Sequence, residues 1–204
     1  MKLNLSFFAI FLLIIVTILP GCKNRNESKK ETVIPPASGS AIKNMVPDIS
    51  IHEAALNGKL SDVTQLLERG TDPNLKDEEG RTPLMYAAFN GYTEIMQKLI
   101  EKGALVDLRD AYGRTALMLA SSGPFPAAVK LLLGNKADPD LADTEEHFTA
   151  IMFAASEGQL EVVKILLKSK ANPALKDVDG DDAMTFAKNN GHSEVVNLLK
   201  ANVK

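Results

Sequence analysis

The 204-residue chain has one cysteine, three histidines and no tryptophan, and aromatic residues make up only 5% of it. A single thiol, Cys22, excludes an internal disulfide. The histidines, His52, His147 and His192, stand far apart, and no Ser or Cys nucleophile has a visible His partner. No glycine-rich phosphate loop is present; Gly80–Met85, GRTPLM, has the wrong spacing for one. These absences point away from an enzyme. With so few rings, any binding surface must rest on a small number of Phe, Tyr and Arg side chains.

Positive charge is also scarce where nucleic acid would require it. Residues 48–204 hold 24 Asp and Glu against 17 Lys and Arg, a net −7. Such a body repels a phosphate backbone, whose recognition rests on clustered cations, so no nucleic-acid partner is expected. An acidic surface favours a partner protein with a basic patch. The preceding stretch, residues 23–47, has five Lys and Arg against two Glu, a net +3.

A membrane-spanning run is missing too. The longest apolar stretch, Phe7–Leu19 (FFAIFLLIIVTIL), is 13 residues, short of the roughly 20 that a spanning helix needs. It fits the apolar core of a secretory signal, with Lys2 as a thin positive start. It closes on Leu19-Pro20-Gly21-Cys22, which resembles the lipobox of bacterial lipoprotein signals. Leu19, Gly21 and Cys22 fit that pattern; Pro20 is a less usual occupant. The resemblance implies cleavage before Cys22 and a thioether from its sulfur to diacylglycerol. Each buried methylene adds about 0.8 kcal/mol, so the acyl chains would anchor the protein. Lys23, in place of Asp, favours the outer membrane. An uncleaved signal anchor, or a plain signal with an incidental cysteine, is the competing reading.

What is present in quantity is repetition. Residues 1–21 read as the signal, and 22–47, polar and rich in Pro, Gly and Ser, as a flexible tether with a reach of roughly 25–30 Å. From residue 48 onward the chain is periodic. Gly80-Arg81-Thr82-Pro83-Leu84-Met85 returns as Gly113-Arg114-Thr115-Ala116-Leu117-Met118, then as Thr149-Ala150-Ile151-Met152 and Asp182-Ala183-Met184-Thr185. Ala54, Ala87, Ala120, Ala154 and Ala187 fill one column, where a small side chain lets helices approach closely. Leu66, Leu99, Leu132, Leu166 and Leu199 fill another. Apolar residues within each unit recur at helical spacing, as Ile95, Met96, Leu99 and Ile100 do. Thr82 suits a helix cap followed by Pro83 in the first turn, and Gly91, Gly70 and Gly103 suit helix ends. The spacing predicts five units of two short helices each.

These residues resemble the ankyrin-repeat family, most clearly in GRTPLMYAAFNGYTEIMQKLIEKGA, Gly80–Ala104. The resemblance implies an all-α repeat solenoid with β-turn or hairpin tips, built to bind proteins. It also exposes departures. The family's signature His is Met at Met85, Met118 and Met152, which removes its bond to the capping Thr. Lys136 and Lys170 replace a helix-ending glycine, so those helices are expected to end differently. Pro124-Phe125-Pro126 replaces an interhelical turn, and one residue is inserted within Glu145-Glu146-His147-Phe148. Unit one has Ile49-Ser50 in the Thr-Pro place and Asp62 where unit two has Ile95, and unit five has Lys200 in an apolar column, as terminal caps require.

Carried over position by position, the family's binding residues fall at the tips on Glu78, Glu79, Arg81, Ala111, Tyr112, Arg114, Glu145, Phe148, Val178, Asp179 and Asp181. At the ends of the first helices they fall on Leu56, Asn57, Phe89, Asn90, Ser122, Ser156, Glu157, Asn189 and Asn190. Phe89, Tyr112 and Phe148 stand out, because aromatic side chains dominate binding energies; alternatively the insertion turns Phe148 inward. Two metal readings compete with purely structural ones. The Met85, Met118 and Met152 thioethers could suit Cu(I), or could simply fill the slot of the missing His. Asp177–Asp182 (DVDGDD) opens like a calcium loop, but Lys188 stands where the bidentate Glu belongs. The expected protein is thus a lipid-anchored, non-catalytic binding module of the bacterial envelope with no cofactor. The alternative is a handler of metal or haem, or an accessory to a stress enzyme.

Overall fold

The computed structural model describes residues 49–202. The signal, Cys22 and the tether lie outside the described residues. Those that are described form ten α-helices in five pairs: α1 Ile51–Leu56 and α2 Leu60–Glu68; α3 Pro83–Phe89 and α4 Thr93–Glu101; α5 Ala116–Ser121 and α6 Pro126–Gly134; α7 Ala150–Ser156 and α8 Leu160–Lys168; α9 Ala183–Asn189 and α10 Ser193–Asn202. No strand forms among them, only one isolated antiparallel bridge, Ala142 with Thr149. None of these helices is long and apolar enough to cross a membrane.

The first helices of successive pairs pack on one another to form one layer, α1 on α3 on α5 on α7 on α9, and the second helices form the other. The Ala column makes this approach feasible: Ala54, Ala87, Ala120, Ala154 and Ala187 are all fully buried. The Leu column fills the space between layers, with Leu99, Leu132, Leu166 and Leu199 equally buried. In unit one the pattern shifts by a residue: Leu66 is half-buried and Leu67 is buried instead. Ser50, not Ile49, caps α1, taking the Glu53 N–H on its hydroxyl at 3.0 Å.

Two expectations about the departures need correction. First, the capping interaction is not lost at the methionines. The Thr82 amide donates to Met85 Sδ at 3.4 Å, Thr115 to Met118 at 3.5 Å, and Thr149 to Met152 at 3.5 Å. A thioether is a weak acceptor, but it reaches the N–H that the histidine would have taken. Second, α6 and α8 end as the glycine-terminated helices do. Lys136 (φ 68°) and Lys170 (φ 67°) adopt the left-handed conformation of Gly70 and Gly103. The following amides, Ala137 and Ala171, donate back to Leu132 and Leu166 at 3.1 and 3.0 Å, as Ala104 does to Leu99. Closing the helix outweighs the strain, on the order of 1 kcal/mol, at each lysine.

The interhelical turn is where a ring meets a glycine. A Cβ on Gly58 would lie 2.9 Å from the Tyr92 ring, one on Gly91 2.3 Å from Phe125, and one on Gly158 2.5 Å from His192. Units two, three and five therefore each seat a ring on the backbone of the unit before it. In unit three Pro124 cannot adopt positive φ; α5 ends early, and Gly123 gives the Phe125 ring its room, with an added Cβ at 2.3 Å.

Candidate protein-binding surface

The tips of units two to five are each built around one aspartate. Asp77 Oδ1 accepts the amides of Glu79 and Arg81 at 3.1 and 2.8 Å, and Asp110 Oδ1 those of Tyr112 and Arg114 at 2.9 and 2.8 Å. Asp177 Oδ1 does the same for Asp179 and Asp181 at 3.0 and 2.7 Å. In unit four Asp143 Oδ1 takes the amides of Glu146 and Phe148 at 3.0 and 3.2 Å, with the extra residue absorbed between them by His147 at φ 61°. Asp177 is thus a turn former, which accounts for the DVDGDD pattern without calcium.

Neighbouring tips are joined through the backbone. Ala111 N–H donates to Glu79 O at 2.9 Å, Thr144 to Tyr112 O at 3.0 Å, and Val178 to Glu146 O at 3.1 Å. Below them, Lys76 Nζ reaches Arg109 O at 2.8 Å and Arg109 Nη1 reaches Ala142 O at 2.7 Å. At the far end of each unit, Asn74 Oδ1 accepts Leu105 N–H at 2.8 Å, Asp107 accepts Asp138 N–H at 3.2 Å, and Asp140 accepts Asn172 N–H at 2.7 Å. The tips therefore form a continuous, rigidly spaced edge.

Of the expected tip residues, Arg81 and Phe148 are not at the surface. Arg81 is 6% exposed, its guanidinium 5.9 Å from the centre of the Tyr86 ring. The Tyr86 hydroxyl in turn donates to Asp77 Oδ2 at 2.7 Å, and burial together with this bond raises the tyrosine pKa. Phe148 is 8% exposed and meets the Phe153 and Phe186 rings edge-on, at 5.7 and 5.0 Å between centroids. The inserted residue swings it inward, the second of the two readings above. Arg114 is largely covered: Nε and Nη2 bind Asp110 Oδ2 at 2.9 and 2.8 Å, and the guanidinium lies 4.7 Å from the Tyr112 ring centre.

The other expected positions keep access to solvent. Glu78 and Asp179 are exposed, and Glu79, Tyr112, Phe89, Asn90 and Glu157 are half-buried. Asn90 also has a structural task, its amide donating to Leu56 O at 3.2 Å and Tyr86 O at 3.3 Å. Burial raises the Glu157 carboxyl pKa, opposed by the nearby His192. His192 Nε2 contacts Ser156 O at 2.9 Å, and the Asn190 amide donates to the same carbonyl at 2.9 Å. The column Tyr86, Leu119, Phe153, Phe186 was missed. It recurs at the same spacing as the alanines, so the register that found those would have found it.

The described arrangement is helix pairs in register, Thr or Asp caps and a tip aspartate in four of five units. The chain matches the family described as ankyrin repeats in three copies, over residues 51–143 and 123–204. It belongs to the ankyrin-repeat family. No curated protein gives a significant match to the chain. Ankyrin repeats generally serve as protein-interaction modules.

Proposed function

We propose that this ankyrin-repeat chain is a non-catalytic binding module, tethered by lipid at Cys22 in the bacterial cell envelope, that captures another protein on its tip edge. The observation that carries the reading is the division of labour along that edge. One aspartate fixes the tip in each of units two to five, and intervening residues such as Glu78 are left to face solvent. Half-buried Phe89 and Tyr112 supply ring area, and the acidic balance of residues 48–204 suits a partner with a basic patch. The apolar leader and the Leu19–Cys22 motif support the anchor, and the outer membrane is the favoured site. A flexible tether then confines the search for the partner to a layer near the membrane.

The copper-handling alternative loses its support. The Met85, Met118 and Met152 sulfurs belong to side chains only 1–2% exposed, and each accepts a threonine amide. Pull-down from solubilised envelope tests the main reading. The Phe89→Ala/Tyr112→Ala variant, folded by circular dichroism, is expected to release the partner; retained binding refutes the surface. Labelling with a fatty-acid analogue, lost in Cys22→Ser, tests the anchor separately.

A further inference from the structure

We propose that the tips of units four and five form the docking site for a basic segment of the partner, with an arginine side chain laid against the Phe186 ring. This rests on the protein-binding reading above and names the part of the edge that the partner's charge engages.

The chain itself shows which chemistry fits. Units two and three carry an arginine immediately before the helix cap, Arg81 and Arg114. Each places its guanidinium near a tip aspartate and an aromatic ring: Arg81 with Tyr86 at 5.9 Å, Arg114 with Tyr112 at 4.7 Å and Asp110 at 2.8 Å. In units four and five the same position holds Phe148 and Asp181. Phe186, in the column of Tyr86, meets the Phe148 ring at 5.0 Å and 85° but has an aspartate where Tyr86 has Arg81. It is half-exposed, beside a tip whose Val178 is 53% exposed.

The charge changes with it. Residues 143–149 and 177–182 contain seven Asp and Glu and no Lys or Arg. Asp143 and Asp177 are committed to tip amides and Asp182 to Lys176 Nζ at 2.8 Å. Glu145 and Glu146 are exposed and Asp181 is half-exposed. A guanidinium brought by a partner would replace the one that units two and three supply for themselves. It would combine a ring face with carboxylates, a pairing for which a planar, weakly hydrated arginine is better suited than lysine.

Full-length protein in detergent micelles tests this by fluorescence anisotropy. The probe is a labelled 12-residue Gly-Ser peptide carrying three Arg, beside Lys and Gln counterparts. The Arg peptide should bind about threefold tighter than the Lys peptide, and the Gln peptide should show no binding. Glu145→Gln/Glu146→Gln/Asp181→Asn should weaken Arg-peptide binding about tenfold. Phe186→Leu should remove the preference for Arg over Lys. A control triple on the second-layer helices, Glu68→Gln/Glu94→Gln/Glu194→Gln, should leave binding unchanged. The proposal is overturned if the control weakens binding as much as the tip triple, or if the tip triple has no effect. If the tip triple has no effect while Phe89→Ala/Tyr112→Ala still releases the envelope partner, the binding module stands and only this site falls.

Discussion

Thr115 and Met118 hold each other across the first turn of α5. The Thr115 amide donates to Met118 Sδ at 3.5 Å, and the Met118 amide donates to Thr115 Oγ1 at 3.4 Å. Both side chains are buried, so neither amide can turn to water instead. Met118→Leu keeps the volume and deletes the acceptor, and should cost about 1 kcal/mol. Met96→Leu, at an equally buried methionine in the middle of α4, should cost less than half as much. Urea midpoints at unchanged m values would show the difference.

The lysines that close α6 and α8 hold a conformation suited to glycine. Lys136→Gly and Lys170→Gly should each stabilise the domain by about 0.5–1 kcal/mol, relief of strain exceeding the added entropy of the unfolded chain. Gly103→Ala should do the reverse. Nothing lies within 4 Å of the added Cβ, so its cost of about 1 kcal/mol would come from φ 94° alone. Thermal unfolding of the three variants checks both signs.

Phe148→Ala removes two edge-to-face ring contacts from a buried site and should cost about 3–5 kcal/mol. In a stack where each unit touches only its neighbours, the loss should stay local. Hydrogen exchange is expected to show weakened protection in α9 and α10, with α3 and α4 unaffected.

Asp182 caps α9. Burial opposes its charge, but the bond to Lys176 and those from the Thr185 amide and hydroxyl outweigh it, and its pKa falls from 3.8 to about 2. A carboxyl with a depressed folded-state pKa contributes stability above its unfolded value and loses it as pH falls through the folded one. The stability gap between the parent and Asp182→Asn should therefore be constant above about pH 4–5 and close between pH 4 and 2. Melting temperatures across that range would measure it.

Repeat register was the part of the fold most legible in the sequence. Helix pairs, alanine and leucine columns and tip aspartates all follow from one period of about 33 residues. Side-chain direction at irregular positions was less legible. Arg81 aligns with the tips, yet its burial depends on Tyr86 five residues on, which in turn is held by Asp77. Phe148 depends on how His147 absorbs the insertion, and a left-handed histidine is not written in residue type. Replacing the signature histidine by methionine reads as loss of its bond to the capping Thr, yet the thioether sulfur lies within reach of the threonine amide. Of the candidate surface, sequence located the edge but could not tell which of its members the fold had already used.

The bonds between units have a kinetic consequence. Asn74 to Leu105 spans 31 residues, Lys76 to Arg109 33, Asn90 to Leu56 34, and His192 to Ser156 36. None of them waits for a distant part of the chain. Loop closure over such a distance is fast, and each new pair of helices finds its template already formed in the pair just before it. A polypeptide delivered end first, through a pore or from a ribosome, can thus assemble in the order in which it arrives, adding one unit for every 33 or so residues that emerge.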